Sequence, residues 1–228
     1  MYPEELAKTI DHTLLRADST TSAVEALCAE AAENHFAAVC LFPHFVPLAA
    51  ELLRGTDVKT CTVISFPFGA DTPRIKALAA GEAISRGADE VDVVINVPAF
   101  LSGDFGLVRD ELTGIVRAAR ERGATTGRGQ VIVKAIIETC YLDERLKRLA
   151  CRICEQAGVD FVKTSPGCGP KGATVEDVEL LRDCLDESIA VKASGGIRTA
   201  ADLERMVTAG AARIGTSAGV AIMRERLA

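Results

Sequence analysis

The sequence predicts one (β/α)8 TIM barrel of the α/β class, on three observations. Eight short β-prone runs follow one another along 228 residues, helical spacing fills the intervals between them, and glycine or proline stands at most of the joints. Strict alternation of strand and helix requires a mainly parallel sheet, and eight units of this length suit a closed barrel. An open doubly wound sheet usually has fewer strands and a glycine fingerprint after the first, and no GxGxxG is present here. The whole chain, 1–228, is expected to form that single domain.

The strand-like runs fall at about residues 8–12, 37–42, 58–65, 90–96, 130–137, 159–164, 189–194 and 212–216. Helical spacing joins Val24, Leu27, Cys28 and Ala31, then Ile75, Leu78, Ala79 and Ala83, then Leu107, Leu112, Ile115 and Val116. It continues with Leu146, Leu149, Ala150 and Ile153, with Val178, Leu181 and Leu185, and with Leu203, Met206 and Val207. Asp71-Thr72-Pro73 and Thr174-Val175-Glu176-Asp177 carry helix-start chemistry, and Gly87, Gly123, Gly158 and Gly210 mark expected helix ends.

Composition narrows the function. The chain is 48% hydrophobic but only 4% aromatic and has no Trp, so its core must be Val, Ile, Leu and Ala, as buried parallel strands favour. A net charge of −6 with singly scattered basic residues argues against nucleic acid. No stretch approaches the ~20 apolar residues of a membrane span, and the N-terminus lacks a signal pattern, so no membrane role and a cytoplasmic location are expected. In that compartment the eight cysteines read as reduced thiols. Cys151 and Cys154 form a CxxC without a second pair, and His12, His35 and His44 form no HxxxH, so no metal is expected and the histidines read as buried or capping.

The chemistry is carried by charges inside apolar strands. In Asp160-Phe161-Val162-Lys163-Thr164-Ser165-Pro166-Gly167, alternation puts Lys163 on one face with Phe161 and Ser165. A strand-end lysine can simply lay its stem on apolar surface. Lys192, in the similar run Ile189-Ala190-Val191-Lys192-Ala193-Ser194-Gly195-Gly196, tips the reading towards amine chemistry. An imine forms from a neutral amine, and a second ammonium nearby favours that form. Asp92 interrupts a valine-rich run and needs a cationic partner, which the next strand offers as Lys134, read as structural support. The turns Ser194-Gly195-Gly196-Ile197-Arg198 and Gly215-Thr216-Ser217-Ala218-Gly219 follow the last two strands and lead into helices, where bare N–H groups bind anions.

Taken in order, Ile10-Asp11-His12-Thr13-Leu14-Leu15, Ala88-Asp89-Glu90-Val91-Asp92, Ile136-Ile137-Glu138-Thr139, Lys163-Thr164-Ser165, Gly172-Ala173-Thr174, Lys192-Ala193-Ser194-Gly195-Gly196-Ile197-Arg198-Thr199 and Arg213-Ile214-Gly215-Thr216-Ser217 resemble the deoxyribose-phosphate aldolases, a class I, Schiff-base-forming family. The resemblance runs the whole chain. It implies reversible cleavage of 2-deoxy-D-ribose 5-phosphate to acetaldehyde and D-glyceraldehyde 3-phosphate in deoxyribonucleoside catabolism, without metal or other cofactor. It also implies phosphosugar and aldehyde substrates as the partners, and a homo-oligomer is compatible with it. The Schiff base falls on Lys163 and the acid/base pair on Asp92 and Lys192. The implied substrate-binding set is Asp11, Thr13, Cys40, Lys134, Thr164, Gly167, Gly195, Gly196, Arg198, Gly215 and Ser217, with Cys40 a non-catalytic thiol.

Two departures concern phosphate affinity. Many relatives have Thr-Gly where this chain has Pro166-Gly167, and a second serine of some relatives is Ala218 here. Lys171, at the end of the loop from Gly167, is a candidate to compensate. Two rival readings remain: a phosphosugar-binding barrel without turnover, and a pyridoxal-phosphate enzyme, which would share the lysine imine and the phosphate cup.

Overall fold

The computed structural model describes residues 2–227. A short N-terminal helix α1 (Pro3–Ala7) precedes β1 (Ile10–Leu14), α2 (Thr21–Glu33), β2 (Ala38–Leu41), α3 (Val46–Leu52), β3 (Lys59–Ile64) and α4 (Pro73–Arg86). The chain continues through β4 (Glu90–Val94), α5 (Val97–Leu101), α6 (Phe105–Thr126), β5 (Ile132–Ile136), α7 (Glu144–Ala157) and β6 (Phe161–Lys163). It ends with α8 (Val175–Cys184), β7 (Ala190–Ser194), α9 (Ala200–Thr208), β8 (Ala211–Thr216) and α10 (Gly219–Leu227). All eight strands are parallel neighbours in chain order, and β1 pairs with β8 to close the barrel. The alternation predicted this, because each helix crosses back over the sheet to start a parallel strand.

The outward faces of the strands and the inner faces of the helices form the main core, for example Val91, Val93, Ala135, Val162 and Val191 against Ile84, Leu112, Ile115 and Leu181. Among the described residues, no helix is long and apolar enough to cross a membrane. Thr174 caps α8 by accepting from Asp177 N, as expected, and Gly87 and Gly158 cap the ends of α4 and α7. Gly123 does not end a helix: α6 runs on to Thr126, and Gly127 caps it. An added Cβ at Gly123 would lie 2.5 Å from Val131 Cγ2, so its glycine serves the close approach of α6 to the start of β5.

The apolar face of α4 is also rotated from the sequence expectation. Ile75 and Leu78 are 52% and 59% exposed, while Lys76, Ala80, Ala83 and Ile84 are buried. Lys76 reaches inward to Glu111 at 2.7 Å and to Val94 O at 2.9 Å, a buried ion pair that sets the helix phase against the apolar pattern. Of the three histidines only His12 is buried; His35 and His44 are exposed. Cys151 and Cys154 lie buried in α7 as free thiols, and burial pushes Cys151 up to about 12, the opposite of a reactive or metal-binding thiolate.

Candidate active site

Parallel pairing sets the site. Lys163 stands in register with Lys192, and Asp92 with Lys134, so all four side chains project into the barrel. Asp92 is fully buried. Its Oδ2 accepts from Lys163 Nζ and from Lys192 Nζ, each at 2.7 Å, and its Oδ1 accepts from Lys134 Nζ at 2.8 Å and Cys61 Sγ at 3.1 Å. Lys192 also donates to Asp11 Oδ2, and Arg213 Nε donates to Asp11 Oδ1 at 2.6 Å. Glu90 Oε2 takes Lys134 Nζ at 2.5 Å and Arg213 Nη2 at 3.0 Å.

Burial opposes the charges on Asp11, Asp92, Lys134 and Lys192, and mutual pairing outweighs it. Against desolvation, Lys134, Lys163 and Lys192 hold Asp92 well below the usual carboxylate range. Asp11 is likewise lowered, by Arg213, Lys192 and Lys134. Lys192 is raised by Asp11 and Asp92, and Lys134 is raised well above its ordinary value, chiefly by Asp92.

Of this cluster, only Lys163 reaches a cavity of about 270 Å³ at the C-terminal mouth of the barrel. Thr13, Gly167, Gly195, Gly196, Arg198, Gly215 and Ser217, seven of the expected substrate-binding residues, line it. Asp11, Cys40, Lys134 and Thr164 do not. Asp11 and Lys134 belong to the ionic layer beneath, and Cys40 packs there with Ala38, Cys61 and Val63. Thr164, on the opposite face of β6 from Lys163, receives Ser194 N at 3.2 Å and so ties the end of β6 to β7. Lys171 is exposed and lies outside the cavity lining, as does Ala218.

One end of the cavity is built from two turns held together. Thr216 Oγ1 donates to Ile197 O at 2.7 Å and accepts from Ala218 N at 3.0 Å, joining the turns after β7 and β8. Gly195 and Gly196 have φ of 92° and 83°, a left-handed pair that glycine adopts without strain. Ser217 is exposed just before α10, and Arg198 has no ion-pair partner among the described residues. Sequence reasoning missed Glu90, Cys61 and Arg213 in the ionic layer, and Leu14, Leu15, Arg16, Phe66 and Thr216 in the cavity wall. Alternation offered one signal: Arg213 shares its strand face with Gly215.

A lysine facing a cavity, with its nitrogen bonded to a carboxylate that a second lysine shares, can form an imine and move protons beside it. Comparisons with known proteins identify the family. The pattern of the DeoC/LacD family aldolases matches residues 6–228. The deoxyribose-phosphate aldolase of Thermoanaerobacter sp. (strain X514) is 51% identical over 220 residues, 96% of each chain. That of Streptococcus gordonii is 48% identical over 224 residues, 98% of each. A tetrameric deoxyribose phosphate aldolase from Aeropyrum pernix superposes with a TM-score of 0.90 at 35% identity, covering 100% of this chain and 93% of that one. The likeness to orotidine 5'-phosphate decarboxylase from Pyrococcus horikoshii, at 18% identity and a TM-score of 0.64, concerns the barrel alone. With a family pattern spanning nearly its whole length and relatives half identical end to end, this chain belongs to the DeoC/LacD family of aldolases.

Proposed function

We propose that the barrel reversibly cleaves 2-deoxy-D-ribose 5-phosphate to D-glyceraldehyde 3-phosphate and acetaldehyde through a Schiff base on Lys163. The observation that carries the reading is the placement of Lys163 Nζ at the cavity, 2.7 Å from the Asp92 oxygen that Lys192 also holds at 2.7 Å. Once its ammonium has given a proton to the site, the Lys163 amine adds to the sugar's aldehyde carbon, and loss of water with return of that proton gives the protonated imine. A base takes the C3 hydroxyl proton, the C2–C3 bond breaks, and its electron pair passes into the enamine as D-glyceraldehyde 3-phosphate leaves. Protonation of the enamine carbon and hydrolysis then release acetaldehyde and the lysine.

Asp92 and Lys192 serve the proton steps. In the resting site Asp92, held by three cations, is a weak base, and Lys192, held by two carboxylates, is a weak acid. At the enamine stage the Lys163 nitrogen carries no charge, so Asp92 faces two cations instead of three. The Asp92–Lys192 pair then handles the proton for the methylene carbon, with a water as relay. The N–H groups of Gly195 and Gly196, the Ser217 hydroxyl and Arg198 receive the 5-phosphate. Asp11 and Lys134 support the proton-handling pair, and the chain acts as one domain. A cytoplasmic location and a homo-oligomer belong to the same reading, supported by the free thiols and by the tetrameric relative.

Borohydride reduction in the presence of acetaldehyde is expected to leave an ethyl group on Lys163, located by peptide mass spectrometry. Label confined to any other lysine overturns the assignment. Unphosphorylated deoxyribose should react far less efficiently than its 5-phosphate. Ser217→Asp should raise KM for the phosphosugar at least ~10-fold and leave trapping of acetaldehyde nearly unchanged, since a carboxylate would then occupy the anion site.

A further inference from the structure

The ionic cluster continues below the cavity to a residue that the mechanism above leaves idle. Arg213 forks between two acids, with Nε on Asp11 Oδ1 at 2.6 Å and Nη2 and Nη1 on the two Glu90 oxygens at 3.0 and 3.4 Å. Its guanidinium carbon lies 6.0 Å from the centroid of the Phe161 ring. An irregularity in the β7–β8 pairing brings Arg213 level with Lys192. Asp11 therefore divides its oxygens: Oδ1 goes to Arg213 and Oδ2 to Lys192. A carboxylate fixed at one oxygen by a guanidinium is fixed in rotation as well, because the fork is planar and its N–H directions are rigid. The second oxygen then determines where the Lys192 ammonium sits relative to Asp92.

We propose that Arg213 is a positioning residue for proton transfer: through Asp11 it holds the Lys192 ammonium against Asp92, although it touches no part of the cavity. The inference rests on the Schiff-base reading. Without Arg213, Asp11 turns to meet Lys192 and Lys134 with both oxygens, drawing Lys192 away from Asp92. Imine formation at Lys163 needs the Lys192 ammonium only as a nearby charge, not in that contact. Removal of a methyl proton from the acetaldehyde imine does: the C–H bond breaks, the proton goes to the Asp92–Lys192 pair, and the C–H electron pair becomes the enamine double bond. Return of a solvent-derived deuteron completes the exchange.

The test compares the parent with Arg213→Met and Arg213→Lys, each confirmed as folded by circular dichroism. Borohydride trapping of acetaldehyde on Lys163 reads imine formation, and deuterium uptake into the acetaldehyde methyl group in D2O reads proton transfer. Arg213→Met is expected to trap within ~3-fold of the parent, to exchange at least ~10-fold more slowly, and to lose kcat with KM for the phosphosugar within ~3-fold. Arg213→Lys, a point charge that cannot bridge both acids, should fall between the two. Exchange within twofold of the parent in a folded variant overturns the proposal, as does an equal fall in trapping and exchange, which marks a general collapse of the site. If Arg213→Met does not fold, Arg213→Lys decides by the same two rates. A parent that fails to trap acetaldehyde on Lys163 overturns the Schiff-base reading itself, which separates that failure from the failure of this inference.

Discussion

Asp92 is the residue on which the site turns, since Lys134, Lys163 and Lys192 all donate to it while it is fully buried. Asp92→Asn would leave three ammonium groups without their common anion. Turnover should fall at least ~100-fold, and stability by about 3–5 kcal/mol on chemical denaturation. Near-normal acetaldehyde release in that variant would remove Asp92 from the proton work. The cluster also shapes stability against pH. Asp11 and Asp92 lie below their ordinary 3.8 when folded, so their contribution is complete above that value and is lost as pH falls through the folded values. Lys134 and Lys192 lie above their ordinary 10.5 when folded, so theirs is complete below that value and is lost as pH rises through the folded values. Urea midpoints of the parent should fall more steeply below about pH 4 than those of a folded Asp92→Asn variant, which lacks one of these two carboxylates. Lys163, Lys192 and Asp92 were legible because each interrupts an apolar run. Glu90 and Arg213 were not, because each stands near the start of its strand, where a charge ordinarily faces water; closure of the barrel turns them inward.

Between elements, two glycines show how closely the loops approach the chemistry. The loop after β6 lies on the turn after β7, with Ala173 N donating to Ser194 O and Gly195 O at 3.1 Å. A Cβ on Gly172 would lie 2.1 Å from Gly195 O, a backbone atom that can yield only if the Gly195–Gly196 turn moves. Gly172→Ala is therefore expected to raise KM for the phosphosugar at least ~10-fold while acetaldehyde trapping persists. Gly215→Ala should do the reverse. Its Cβ would lie 2.8 Å from Ser194 Cβ and 3.3 Å from Lys192 Cε, so kcat should fall with a smaller change in KM. Steady-state kinetics on the two variants separates phosphate holding from proton handling. Neither close approach could be read along the sequence, since Gly172 meets Gly195 and Gly215 meets Ser194 only once the strand ends are brought together. The phase of α4 was misread for a related reason: apolar spacing could not reveal that Lys76 has a buried partner in Glu111, 35 positions away.

For the whole molecule, the ionic layer draws its charges from β1, β4, β5, β6, β7 and β8 and the Cys61 thiol from β3, and the Asp11–Arg213 bond spans the seam where the barrel closes. Strand alternation made the barrel legible. The layer inside it was hidden, because its contacts join residues as far as 202 positions apart, beyond any local period. The register of Lys163 on Lys192 has a further consequence. A slip of one residue would turn Lys163 out among the helices, so between the assembled site and a useless one there is no partly aligned state. The Lys163 nitrogen thus has no hinge of its own to fail first. In a urea series, loss of borohydride trapping should coincide with loss of the far-ultraviolet dichroism, and an earlier loss would show a local opening of β6. Each ethylated lysine would then count one folded molecule, and a chemical trap becomes a census of the native population.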